Sequence, residues 1–235
     1  MDEAGQTSLF RADRIAASYP RGSGADRIFE DVSFSLEAGS IYDLTGPSGS
    51  GKSTLLRACA LMLARQGGEL YLAGEPSSGF HPTVWRRRVC LVPQRPSLVA
   101  GTVRDNLLLP WTLKVNAAEK PPDDDELAGL LEEARLGDVG VARDVSQLSG
   151  GQLARVALLR AFATRPDVLL LDEVDAALDA ETAAAVGRLT RRLVGKRRAC
   201  LRVRHGGFDG IADGVFSLRE GRIACAPAEG GEARP

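Results

Sequence analysis

The sequence has few of the residues that signal a disulfide framework, a zinc site or a membrane span. Its 235 residues include only four cysteines and two histidines. The cysteines are widely and irregularly spaced and form no CxxC pair, which favours reduced thiols over a disulfide framework or a zinc site. The longest stretch free of Asp, Glu, Lys and Arg has ten residues, far short of the ~18 apolar residues of a spanning helix. We therefore expect no membrane span in this chain.

An excess of charge of one sign is also missing. Thirty basic and 31 acidic side chains give a net charge of -1, so no overall field attracts nucleic acid or anionic lipid. Only four of the basic residues are lysines, and the arginine-rich runs are interpreted as solvated faces. The N-terminal residues contain no apolar segment of signal-peptide length, so a cytoplasmic location is expected. No nucleic-acid partner is predicted.

What is present is the ordinary composition of a globular protein, with strands and helices in alternation. Hydrophobic residues make up 44% of the chain, enough for the core of one large domain or two small ones. Apolar runs bounded by glycine and proline predict strands, and helical spacing predicts helices. The predictions are two strands within 9–36, strands at 41–45, 70–72, 89–92, 168–171 and 199–203, helices at 52–64 and 180–194, and an antiparallel pair at 215–223.

The middle of the chain has a different pattern and is predicted to be mostly helical. An acidic segment at 123–125 suits the start of a helix that runs to Arg135. We predict one domain at 8–225, with a helical subdomain at about 96–165 inserted in its core. The N-terminus at 1–7 and the tail at 226–235 are expected to be flexible.

A glycine-rich segment, GPSGSGKS, follows the predicted strand at 41–45 and matches GxxxxGK[ST]. In this motif backbone N–H groups surround the α- and β-phosphates, a lysine reaches the β/γ oxygens, and the last hydroxyl can bind Mg²⁺. The following helix adds its N-terminal dipole. The residues expected to bind nucleotide are Gly46, Pro47, Ser48, Gly49, Ser50, Gly51, Lys52, Ser53 and Thr54.

The strand VLLL at 168–171 ends in two carboxylates, Asp172 and Glu173. Adjacent acids at the end of a buried strand are costly unless a metal or an attacking water needs them. We interpret Asp172, with Ser53, as a Mg²⁺ ligand and Glu173 as the group that activates water. A pair of solvated loop carboxylates is the alternative.

A third motif, LSGGQ at 148–152, precedes a helix predicted from Leu153 to Thr164. Its glycines permit close backbone approach, and the helix start offers N–H donors to an anion. In this order the three motifs resemble the ATP-binding cassette (ABC) ATPase family over nearly the whole chain. The resemblance implies an α/β P-loop NTPase fold with a RecA-like core, an antiparallel β-subdomain and the inserted helical subdomain.

The resemblance also implies a head-to-tail dimer that holds two ATP molecules with Mg²⁺. The residues that would act across the dimer on the γ-phosphate are Ser149, Gly150, Gly151 and Gln152. A single copy would be catalytically incomplete, and the two copies could be identical or different.

Four further residues match family positions. Tyr19 matches the aromatic that stacks on adenine, although a core or surface tyrosine is the alternative. Gln94 matches the glutamine that senses Mg²⁺ and the attacking water, so it joins Ser53 and Asp172 as an expected Mg²⁺ ligand. His205 matches the switch histidine that touches the γ-phosphate. Asp179 matches a residue that crosses the dimer interface, with a helix N-cap as the alternative. The expected catalytic residues are Glu173, His205, Lys52 and Gln94.

Three charges depart from the family pattern. Asp43 lies within the strand before the phosphate loop, where a buried carboxylate is costly without a partner. We expect it to have a partner or to reach water. Arg202 and Arg204 lie in the strand that leads to His205, where family members carry apolar residues and a threonine or serine.

The resemblance implies a subunit bound to a separate membrane permease at the cytoplasmic face, and GTVRDNLLLPW at 101–111 looks most like the ATPases of metal (iron) exporters. Leu98, Val99 and residues 107–109 are candidates for contact with the permease, or else pack within the helical subdomain. The alternatives are a soluble ABC ATPase acting on DNA or ribosomes, and the ATPase of a solute importer. The transported substrate lies outside what this chain encodes.

Overall fold

The strands predicted from the sequence are present and belong to two sheets. The computed structural model describes residues 8–21, 24–95, 97–176, 178–204 and 209–227. Within these ranges the strands are β1 Phe10–Arg21, β2 Gly24–Leu36, β3 Ile41–Thr45, β4 Gly67–Leu72, β5 Glu75–Pro76, β6 Val89–Val92, β7 Val168–Asp172, β8 Ala199–Val203, β9 Gly214–Arg219 and β10 Arg222–Pro227. The α-helices are α1 Lys52–Cys59, α2 Pro82–Arg88, α3 Val103–Leu108, α4 Asp124–Glu133, α5 Gly150–Ala163 and α6 Ala180–Val194.

The larger sheet has the strand order β10-β9-β3-β8-β7-β6. All its neighbours pair in parallel except β10 and β9, which form an antiparallel hairpin. Every residue of β7 and β8 is buried, as in parallel sheets covered on both faces. Because parallel strands end at the same edge, the segments that follow β3, β6 and β7 emerge side by side.

The smaller sheet is antiparallel, with the order β2-β1-β4-β5. An apolar cluster that includes Phe10, Leu55 and Leu170 joins this sheet to α1 and to one face of the larger sheet. Trp85 on α2 is fully buried in this cluster and donates its indole N–H to the carbonyl oxygen of Cys59 at 2.8 Å. α1, which directly follows the phosphate loop, therefore packs between the two sheets.

A second apolar cluster packs α3, α4, α5 and α6 against the other face of the larger sheet. Leu107 is fully buried in it, so of the two interpretations left open for this residue the structure has packing within the helical subdomain, whereas Val99 is exposed. Between α4 and α5 the described chain forms turns, an isolated bridge between Asp144 and Thr102, and a short 3₁₀ helix, Val145–Gln147. No helix in the described ranges is long and apolar enough to cross a membrane.

Three predicted helix ends were wrong. α1 ends at Cys59 rather than near residue 64, because Leu61 has a positive φ of 53° that an α-helix does not permit. Gly67 and Gly68 consequently begin β4 instead of closing a helix. α4 ends at Glu133, just before Arg135 with a φ of 55°. α5 begins at Gly150, so the glycines of the LSGGQ motif belong to its first turn.

Candidate active site

The phosphate loop lies between β3 and α1 and depends on glycine. Gly46, Gly49 and Gly51 have φ values of 147°, 78° and 98°, which other residues adopt only with strain. A Cβ at Gly46 would clash with the carbonyl oxygen of Leu218, and one at Gly51 would clash with the side chain of Ile28. The loop therefore keeps its path against β9 and β2 only with glycine at these two positions.

Lys52, the first residue of α1, is buried and turned into this loop. Its Nζ donates to the carbonyl oxygens of Gly46 and Pro47, each at 2.9 Å. The hydroxyl of Ser50 is buried and has no hydrogen-bond partner among the described residues. No side chain caps the start of α1. An ammonium, an unpaired hydroxyl and open helix N–H groups form a set of donors that fits phosphate oxygens.

Ser53 and Asp172, two of the three predicted Mg²⁺ ligands, are in contact. Ser53 Oγ donates to Asp172 Oδ1 at 2.9 Å. Burial raises the pKa of Asp172, the hydrogen bond from Ser53 opposes the rise, and the neighbouring Glu173 adds to it. Paired hydroxyl and carboxylate oxygens are ligands that Mg²⁺ prefers, and Mg²⁺ usually takes one or two carboxylates together with substrate phosphates. The side chains present therefore fit Mg²⁺.

Glu173 and Gln94, predicted separately from the sequence, meet at the ends of β7 and β6. Gln94 Nε2 donates to Glu173 Oε2 at 2.6 Å. Glu173 has a φ of 51°, in the left-handed region that is costly for this residue type, and its N–H donates to the carbonyl oxygen of Val203 at 3.2 Å. This backbone turn directs the carboxylate to the loop after β6, beside the Ser53–Asp172 pair.

The LSGGQ residues form the capped start of α5. Ser149 Oγ accepts from the N–H of Gln152 at 3.3 Å, and Gln152 Oε1 accepts from the N–H of Ser149 at 3.0 Å. Ser149 and Gly150 are exposed. Within the described part of one copy, no hydrogen bond joins these residues to the phosphate loop. The structure therefore does not bring this motif together with Lys52 in a single chain.

The remaining predicted residues are seen less completely. Asp179 is the N-cap of α6, and its carboxylate accepts from Thr182 N and Oγ1 at 2.9 and 2.8 Å. Asp179 is therefore a helix cap, which was the alternative interpretation, and its role at the dimer interface stays a prediction. Tyr19 lies in β1, but its side chain is outside the described part, and His205 is outside the described residues altogether.

The expectation that Asp43 has a partner is confirmed, but the identity of that partner was not predicted from the sequence. Asp43 on β3 and Arg202 on β8 are direct neighbours across the parallel strands, and Arg202 Nε donates to Asp43 Oδ1 at 2.8 Å. Burial alone would lower the pKa of Arg202, but Asp43 and Asp209 raise it, so the guanidinium stays charged. One feature of the sequence could have predicted this pair: two strands that are both expected to be buried carry charges of opposite sign.

With this geometry established, residues 29–176 match the family model described as "ABC transporter". The matched range contains the phosphate loop, Gln94, the LSGGQ motif and both strand-end carboxylates. The chain belongs to the ABC transporter family. As a member it is an ATPase with an ATP-binding cassette, and the observed α/β architecture is that of the family, as predicted.

Relatives of this ABC ATPase serve transporters of opposite direction. It is 37% identical to "Probable iron export ATP-binding protein FetA" of Escherichia coli (strain K12), over 73% of this chain and 75% of that protein. It is 40% identical to "Methionine import ATP-binding protein MetN 1" of Pseudomonas fluorescens (strain Pf0-1), over 67% of this chain and 48% of that protein. Membership of the family therefore leaves substrate and direction open.

A solved structure of a cassette has the same fold. The "Dimeric structure of a post-hydrolysis state of the ATP-binding cassette MJ0796 bound to ADP and Pi" superposes with a TM-score of 0.81. Identity is 25%, and the match covers 95% of this chain and all of that one. That protein is a nucleotide-bound dimer.

Proposed function

We propose that this chain is the ATP-hydrolysing subunit of a membrane transporter that exports a metal ion, with iron as the first candidate. Two copies would work head to tail at the cytoplasmic face of the membrane, bound to a separate permease. The observation that carries ATP hydrolysis is the 2.6 Å contact between Gln94 and Glu173 at the end of β7, one residue after the carboxylate that meets Ser53. This arrangement suits the activation of a water next to a bound triphosphate. Metal export is supported by the likeness to FetA.

In the proposed reaction a water attacks the γ-phosphorus, the bond to the bridging oxygen of ADP breaks, and Glu173 accepts the proton of the water. Gln94 orients the carboxylate. Lys52 exchanges its two carbonyl acceptors for oxygens of the β- and γ-phosphates. Mg²⁺, held by Ser53 and Asp172, would supply positive charge to the phosphates when bound. Ser149 of the second copy would donate to the γ-phosphate.

Glu173→Gln tests the role of the carboxylate. The variant is expected to bind ATP normally and to lose turnover by at least ~10²-fold, because the group that accepts the proton is gone. Release of phosphate and binding of a fluorescent ATP analogue measure the two effects. Glu75→Gln, at an exposed position on β5 in the other sheet, is the matched control and should keep full turnover. Normal turnover of Glu173→Gln would remove Glu173 from this role.

A groove beside the helical subdomain is a candidate docking site for the permease, and it supports the permease as a partner. It has a volume of about 740 Å³ and a largely apolar wall. It lies between α2, β6 and the 3₁₀ segments Leu109–Thr112 and Lys114–Asn116. Leu113 is 56% exposed there, and Arg86 and Lys114 add positive charge. A short permease helix with an apolar face and acidic ends fits this groove.

Leu113→Asp tests the groove, with Met62→Asp as the matched control, since Met62 is 61% exposed and lies outside the groove. Each variant is co-expressed with a candidate permease and purified through a tag on that permease. Leu113→Asp should lose co-purification but keep the ATPase rate of the isolated subunit, and Met62→Asp should keep both. Equal co-purification of the two variants would contradict the docking site.

The substrate follows from transport by the assembled complex. In proteoliposomes, Fe²⁺ is expected to stimulate ATP hydrolysis. It should also cross the membrane away from the side that carries the ATPase subunit, and Glu173→Gln should abolish both effects. The importer is the second candidate, favoured by the likeness to MetN 1. Stimulation by methionine and a binding protein, with no response to Fe²⁺, would support it and contradict metal export.

A further inference from the structure

Five charged side chains connect β3 to the turn that follows Glu173. Arg202 contacts Asp43 (Nη2–Oδ1 2.7 Å) and Asp209 (Nη1–Oδ2 3.1 Å). Arg204 contacts Asp209 (Nη1–Oδ2 2.8 Å) and Asp175 (Nε–Oδ2 2.7 Å). We call this set the ion-pair chain: Asp43, Arg202, Asp209, Arg204 and Asp175.

The inner end of the ion-pair chain is buried. The side chains of Arg202 and Asp43 are 5% and 8% exposed, against 23% for Asp209. Exposed ion pairs contribute little to stability. A buried pair such as Arg202–Asp43 also contributes little, because removing its charges from water costs free energy, so its main effect is to fix the positions of the two side chains. The planar guanidinium of Arg202 bonds two carboxylates at once, which fixes their relative positions.

The outer end of the ion-pair chain reaches the segment that carries the proposed catalytic base. Asp175 lies two residues after Glu173, in a turn closed by the N–H of Ala176 on the carbonyl oxygen of Glu173 at 3.1 Å. The N–H of Glu173 is bonded to Val203, which lies between the two arginines of the ion-pair chain. The left-handed backbone of Glu173 persists only where its surroundings over-determine it.

We propose that Arg204 and Asp175 are positioning residues for Glu173. Their ion pair, anchored through the rest of the ion-pair chain to β3, holds the turn after Glu173 so that its carboxylate stays on Gln94. The inference rests on the proposed function, since it assigns these residues a role only through the water-activating carboxylate. Neither residue needs to touch nucleotide.

A double-mutant cycle of Arg204→Gln and Asp175→Asn tests the pair. Each single variant should lower kcat by about tenfold or more, because a small displacement of a catalytic group is costly, while KM for ATP stays within about twofold. The double variant should be no worse than the worse single variant, and Arg204→Lys should recover part of kcat. The control is Arg104→Gln, which removes an exposed pair with Asp124 in the helical part and should leave kcat and KM unchanged.

The decisive readout is the residual rate in a Glu173→Gln background. If Arg204 acts through the carboxylate, Arg204→Gln should change that residual rate by less than about twofold. The same loss as in the wild type, a change in KM instead of kcat, or additive single effects would overturn the inference. Should Arg204→Gln fail to fold, Arg204→Lys and Asp175→Asn carry the test. Failure of the proposed function would give a different result from failure of this inference, because the Glu173→Gln variant alone would then hydrolyse ATP at the normal rate.

Discussion

At the scale of single residues, the candidate site keeps side chains in states that cost stability. Asp172 is buried with a raised pKa, and Glu173 has a left-handed backbone. Lys52 is buried and satisfied by only two carbonyl oxygens. Each of these groups would gain from a bound polyphosphate with its cation or from a reacting water, as expected where structure is maintained for chemistry.

Asp172→Asn is expected to raise Tm in the absence of Mg²⁺ and nucleotide while abolishing hydrolysis. Because burial raises the pKa of Asp172, the ionised carboxylate is less stable in the folded than in the unfolded chain. This penalty grows as pH rises from the ordinary pKa through the raised pKa, and it is complete once the pH lies above the raised pKa. Asparagine keeps an oxygen for Ser53 and avoids the penalty.

Thermal unfolding in EDTA checks this prediction. Tm should rise by a few degrees at neutral pH, and the gain should disappear as the pH approaches the ordinary aspartate pKa of about 3.9. Asp125→Asn, an exposed carboxylate on α4, is the control and should not raise Tm. A Tm of Asp172→Asn at or below the wild-type value at neutral pH would contradict the argument.

The cysteines should differ sharply in reactivity. Burial raises the pKa of Cys59 and of Cys200 to about 12 and that of Cys90 to about 11, while Cys225 is exposed. Since the thiolate is the reactive form, a thiol-specific chromogenic reagent at pH 8 should label Cys225 rapidly. Cys59 and Cys200 should react only after unfolding in guanidinium. Cys225→Ser should remove the rapid phase, and a rapid phase that remains would refute the assignment.

At the scale of elements, the same capping device begins three helices of the described chain. Thr102, Asp123 and Ser149 each cap a helix reciprocally with the residue three positions on. A side-chain cap contributes about 1 kcal/mol. Only the cap of α5 belongs to a motif with a proposed role in hydrolysis, so the other caps provide an internal comparison.

Ser149→Ala and Thr102→Ala separate capping from catalysis. Both should lower the free energy of unfolding by about 1 kcal/mol, because each removes the acceptor of a helix N–H. Only Ser149→Ala should also lower the ATPase rate, by more than about tenfold, since its hydroxyl would donate to the γ-phosphate across the dimer. Denaturant titration and phosphate release measure the two quantities. Equal ATPase rates for both variants would reduce Ser149 to a cap.

The local sequence pattern predicts single helices and strands well, whereas the contacts between them depend on the tertiary structure. The helix at 180–194 and the strand at 199–203 agree with the structure residue for residue, because apolar spacing and glycine encode them locally. The early end of α1 and the burial of Leu107 depend on packing between distant segments. Asp43 and Arg202 lie 159 residues apart, so their pairing needs the order of strands. The φ of Glu173, which brings it to Gln94, has no signature in the residue type.

At the scale of the whole molecule, one copy carries both motifs of the proposed shared site without joining them. Lys52 and Ser149 begin different helices, and the described chain has no hydrogen bond between the two motifs. The related cassette with a TM-score of 0.81 is a nucleotide-bound dimer. In a head-to-tail pair with two-fold symmetry, each loop faces the other copy's serine, so two identical sites form at once.

Mixing two inactive variants tests this arrangement. Lys52→Met inactivates the phosphate loop, and Ser149→Arg inactivates the LSGGQ motif. Each variant alone should therefore have no activity. In a mixed dimer one site carries both changes and the other carries neither, so an equal mixture should recover about a quarter of the wild-type rate if sites turn over independently. Phosphate release on mixing in excess ATP measures the recovery, and a doubly substituted chain mixed with itself is the control. No recovery would contradict a site shared between copies, because a site complete within one chain cannot be restored by another.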